Sequence, residues 1–132
     1  MQKEEFLTKV QNLGGLENED QALKMTEVFL ATLGEWLYRT ECQKLAAQLP
    51  KEFESFLFDV HNPEQSSSEV LHYPLGEFYN RVKARTNVGW EQAVEGTKAV
   101  AEVLRQAVSA GQIEDVMRQL PDEFDELFEV KT

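Results

Sequence analysis

Between Lys3 and Leu13 the apolar residues Phe6, Leu7, Val10 and Leu13 recur at three- and four-residue steps, with Lys3, Glu4, Lys9 and Gln11 between them. That spacing predicts an amphipathic helix. Gly14 and Gly15 should close it, because glycine takes the left-handed turn at a helix end at little cost. Asn18, with Gln21 three residues on, offers a variant of the capping box. A long helix is expected from there to about Tyr38, carrying Ala22, Leu23, Thr26, Phe29, Leu30, Leu33, Trp36 and Leu37 on its apolar face. Thr40 and Gln43 repeat the capping pattern before a short helix through Leu45 to about Gln48. Pro50 cannot continue that helix but suits the first position of the next, whose stripe is Phe53, Phe56 and Leu57. The expected order is short, long, short, short.

The pattern then recurs. Gln48-Leu49-Pro50-Lys51-Glu52-Phe53 returns 71 residues later as Gln119-Leu120-Pro121-Asp122-Glu123-Phe124, with five of six positions identical. At the same offset Ala22 meets Ala93, Thr26 meets Thr97, Leu33 meets Leu104 and Leu45 meets Val116. Phe6 and Val10 meet Phe78 and Val82 at an offset of 72. These matches predict an all-α chain of two similar units, about 3–59 and 76–130, forming one domain over 1–132. Residues 60–75 mix Pro63, Pro74 and a serine run without helical period, which predicts a linker. In the second unit Gly89 stands where Asn18 stands in the first, and Gly111 with Glu114 is expected to open the third helix. Two half-units with open apolar faces bury most by meeting each other, so a pseudo-twofold bundle is expected.

Composition narrows the partners. With 132 residues, 42% of them apolar, the chain can build a core without staples. Its net charge of −11 is shared as −6 and −5 between residues 1–66 and 67–132, so no basic arm is available for phosphate backbones or anionic lipid. No nucleic acid and no membrane are expected as partners. Cys42 is the sole cysteine, which rules out an intrachain disulfide and fits a reducing interior. The charged start lacks a signal peptide's apolar run, and no stretch approaches the ~20 apolar residues that span a bilayer. A cytoplasmic location is expected.

Phe6-Leu7-x-x-Val10, the Gly15-Leu16 turn, Leu33-x-x-x-Leu37, Glu41 and Ala47-Gln48-Leu49-Pro50 form one set of positions. Phe78-x-x-x-Val82, Val103-Leu104, Val108-Ser109-x-Gly111 and Gln119-Leu120-Pro121 form the other. Together they resemble the prokaryotic domain-of-unknown-function family numbered 2267, over nearly the whole chain. The resemblance implies a small helical bacterial protein and carries no catalytic residue. Gln112 departs from the acidic residue that often follows the glycine in that pattern.

Chemistry is sparse. His61 and His72 fall in the linker, and Glu69 with His72 has the carboxylate-x-x-histidine spacing of di-iron bundles. Such a site needs the motif twice, so no metal is expected. Asp122, Glu123, Asp125, Glu126 and Glu129 read as a solvated helix face with carboxylates near its positive end. Cys42 has no histidine on a regular element to serve it, and there is no phosphate loop and no Gly-x-Ser-x-Gly elbow. Neither a catalytic residue nor a cofactor is expected. Phe58, off the Phe53 stripe, and Trp90, at a helix start, are the candidates for an interaction surface. The leading expectation is a non-catalytic protein acting through protein contacts or self-association. The alternative is a small-molecule or cation-binding module with its pocket between the two units.

Overall fold

The computed structural model describes residues 1–58 and 73–128, and these are all-α, with no strand among them. The first half contains α1 (Lys3–Gly14), α2 (Glu19–Gly34), α3 (Arg39–Ala46) and α4 (Glu54–Phe58). The second contains α5 (Leu75–Thr86), α6 (Trp90–Ala107), α7 (Ala110–Arg118) and α8 (Asp125–Phe128). Single 3-10 turns, Lys51–Phe53 and Asp122–Phe124, follow the two leucine-proline corners. The first residue of α5 belongs to the expected linker, and residues 59–72 of that linker lie outside the described residues, as do 129–132.

The long helices form the centre. α2 packs on α1, α4, α5 and α6, while α6 packs on α5, α8, α1 and α2. Each of α1 and α5 therefore lies against both long helices, and α3 meets α7. From Val28 to Gly34 every residue of α2 is buried, as a helix covered on several sides must be. Phe6 packs edge-on against Phe53 with ring centroids 5.1 Å apart. Phe78 meets Phe29, Trp36 and Phe124 at 5.5, 5.3 and 5.6 Å, which ties the two halves through one aromatic cluster.

Several local expectations change. Leu13 is 53% exposed because α1 turns its Phe6, Leu7 and Val10 inward and leaves the next turn's leucine beside solvent. α2 stops at Gly34 rather than near Tyr38, and Glu35, Trp36 and Leu37 close it with three-residue bonds to Thr32, Leu33 and Gly34. Thr40 does not cap α3. The N-cap is Tyr38, whose N–H donates to Gln119 Oε1 at 3.0 Å. Likewise α7 starts from Ser109 rather than Gly111; the Ser109 hydroxyl accepts from Gln112 N–H, and the Ser109 N–H donates to Gln48 Oε1 at 2.7 Å. Pro50 and Pro121 each stand just ahead of their 3-10 turn, with Phe53 and Phe124 buried as expected.

Two polar clusters pin α5. Glu35, only 3% exposed, accepts from Arg81 at 2.8 Å and from Arg85, which also donates to Thr32 Oγ1 at 2.9 Å. Arg81 lies 5.5 Å from the ring centroids of both Trp36 and Tyr73. At the other side Glu123 accepts the Leu75 N–H at 2.5 Å and Glu126 accepts the Tyr79 hydroxyl at 2.9 Å. Burial and then the Glu126 bond push the Tyr79 phenol above its ordinary range, so it remains a donor.

Candidate functional site

The helices α1 and α5 both end in a left-handed residue, Gly15 at φ 64° and Asn87 at φ 58°, so the chain reverses sharply at both points into a long helix. The reversal after α1 lays Leu16 inward and leaves Glu17 at the surface. Asn18 Oδ1 accepts from Gln21 N–H at 2.9 Å, and Gln21 Oε1 accepts from Glu17 N–H at 3.1 Å, which fixes the first turn of α2. The Gln21 side-chain nitrogen is left for other partners.

Between these two reversals lies a cleft of about 250 Å³. The first half supplies Leu16, Glu17, Gln21, Lys24 and Met25, and the second supplies Thr86, Val88 and Gln92. Leu16 and Met25 are buried and form its apolar part. Met25 fits because position 96 is glycine: a Cβ there would stand 2.4 Å from the Met25 methyl carbon. Gln21 and Gln92 face the same cleft from opposite halves, 71 residues apart.

Little of the cleft's polarity is used within the protein. Glu17's carboxylate and Gln92's amide have no partner among the described residues, and Lys24 is held only by Glu27 at 3.9 Å. Thr86 spends its hydroxyl proton on the Val82 carbonyl at 2.7 Å. The wall thus offers one carboxylate, one ammonium and two amides around an apolar floor. That set can hydrogen-bond and ion-pair with a ligand.

The residues singled out from the sequence lie elsewhere. Trp90 is 49% exposed, with its ring edge-on to Tyr79 at 5.8 Å. Phe58 is only half-buried, packed on the core with the Arg39 guanidinium 5.6 Å from its ring. Cys42 is buried, and burial first, then neighbouring Glu41, push its thiol up to about 11 against a smaller opposing pull from Arg39. Asp122, Glu123 and Glu126 are exposed and Asp125 is half-buried, as expected of a solvated face, and Glu123 and Glu126 in addition hold α5 through Leu75 and Tyr79. Among the described residues no three His, Cys, Asp or Glu side chains are grouped to hold a metal. His61, Glu69, His72 and Glu129 lie outside the described residues.

Glu17, Lys24 and Gln92 carry no expectation from the sequence, and Gln21 only that of a helix cap. The one available signal was that Gln21 and Gln92 occupy matching positions at the 71-residue offset, a polar match with no role in a buried face. Among the described residues no helix is long and apolar enough to cross a membrane. The chain matches the family described as uncharacterized conserved protein (DUF2267) over residues 3–127 and belongs to that family. No curated protein matches it.

Proposed function

We propose that the protein is a non-catalytic binding module whose site is the cleft between its two halves. The observation that supports this most is the convergence of side chains from both halves, Glu17, Lys24 and Gln92 among them, with polar groups unspent around an apolar floor. Pockets of this kind between helices of a bundle are common ligand sites. On this reading the halves are two copies of one unit. The matching order of helices supports it, as do two bonds that exchange positions: Gln48 with Ser109, and Gln119 with Tyr38. A reducing, cytoplasmic setting suits a module with one buried thiol.

A thermal-shift screen across common metabolites tests the reading. One compound should raise the melting temperature by several degrees in a saturable way, and Gln92→Ala, an exposed change, should weaken that response. A screen without any saturable shift would remove the cleft from consideration. A second reading, protein contact, is favoured by Trp90, whose large ring is half in solvent at the first residue of α6. Sedimentation of the native protein and a Trp90→Ser variant in 0.5 M salt addresses it: association through the ring should survive salt and be lost in the variant.

A further inference from the structure

We infer that the ligand of the cleft is a small zwitterion with an apolar body, of the class of free aliphatic amino acids; this rests on the cleft reading above. The two charged side chains that line the cleft have opposite signs. Glu17 has no partner among the described residues, and Lys24 has only the distant Glu27. An ammonium group answers the first and a carboxylate the second, while Leu16 and Met25 give an aliphatic body a buried floor. A simple anion would meet Glu17 and the field of a chain with net charge −11. A simple cation would leave Lys24 unanswered. At about 250 Å³ the space falls below the roughly 300–1,000 Å³ of sites for drug-sized ligands, which suits a body of amino-acid size.

Isothermal titration of the native protein at low salt with L-leucine, L-leucinamide and N-acetyl-L-leucine reads this directly. The amide lacks the carboxylate and the acetylated form lacks the ammonium. L-Leucine should bind at least roughly tenfold tighter than either, the order expected for losing one charge-assisted bond. Lys24→Gln should abolish the advantage over the amide and spare binding of the amide itself; Glu17→Gln should abolish the advantage over the acetylated form. Both side chains are exposed, so the variants should fold like the native chain. Silence of L-leucine, or a preference that neither substitution alters, overturns the inference. If L-leucine is silent while the metabolite screen yields a saturable compound whose shift Gln92→Ala weakens, the ligand class is wrong and the cleft stands. If both are silent, both fall.

Discussion

The Glu41 carboxylate accepts a hydrogen bond from the side-chain amide of Gln112, 71 positions away, the offset at which the sequence of the first half matches that of the second. The same offset relates the bonds on either side, in which Gln48 receives the Ser109 N–H and Gln119 receives the Tyr38 N–H. Gln119 also donates to Glu41 Oε1 at 2.9 Å. Glu41 is 4% exposed and is held by these two amides. A glutamine at 112 supplies a donor where a second carboxylate would supply only repulsion.

Replacing Gln112 with Leu should therefore leave Glu41 buried with half of its donors, at a cost of about 1–3 kcal/mol. Urea denaturation of the two proteins gives the difference. A loss below about 0.5 kcal/mol would mean that Glu41 recovers its hydration and that the bond does not hold the halves in register.

Two glycines should respond in opposite directions to alanine. At Gly34 a Cβ would stand 2.5 Å from the Leu57 carbonyl oxygen, a backbone atom that cannot swing aside. Gly34→Ala should destabilise by more than about 1 kcal/mol, because moving α4 away costs more than the roughly 1 kcal/mol that alanine's helix propensity returns. At Gly76, in the first turn of α5, nothing lies within 4 Å of the added carbon. Gly76→Ala should stabilise by about 0.4–1 kcal/mol, mainly by restricting the unfolded chain. Melting curves of both variants check the contrast, and a neutral Gly34→Ala would show that α2 and α4 are less tightly apposed.

The buried Cys42 thiol should be unreactive in the folded protein. Its pKa is raised from 9.0 to about 11, which at pH 8 lowers the thiolate fraction by roughly 100-fold before access is considered. Reaction with an aromatic disulfide reagent should therefore be slow in buffer and prompt in urea. The sign for stability follows. The folded state holds this proton more tightly than the unfolded chain, so the group's contribution is fully present below pH 9 and is lost as the pH rises towards about 11. A Cys42→Ala variant should lose less stability than the native protein over that window. Equal slopes would assign the alkaline loss to other groups.

Much of the fold is legible in the sequence because its helices carry regular apolar steps and its corners carry proline. What was misplaced has a long-range cause. α2 ends four residues early where Gly34 meets the backbone of Leu57, and no local signal announces that approach. Thr40 and Gly111 looked like helix starts, yet the N–H groups that begin α3 and α7 are satisfied by Gln119 and Gln48 from the other half. The cleft was illegible for the same reason. Its two walls lie about 71 residues apart, and each wall alone, Glu17 to Met25 or Thr86 to Gln92, reads as an ordinary surface turn leading into a helix.

The Met25 methyl group offers the most direct test that the cleft is a binding site. It is buried on the cleft's floor and is one of only three methionine methyls in the chain. Spectra of protein carrying 13C-labelled methionine methyls should be recorded during titration with the saturating compound from the metabolite screen, or with L-leucine. The Met25 resonance should move progressively and saturate at the concentration that saturates the thermal shift, while the Met1 and Met117 resonances stay in place. A ligand that stabilises the protein without moving the Met25 methyl would contradict the account, because it would have to bind somewhere other than between the halves.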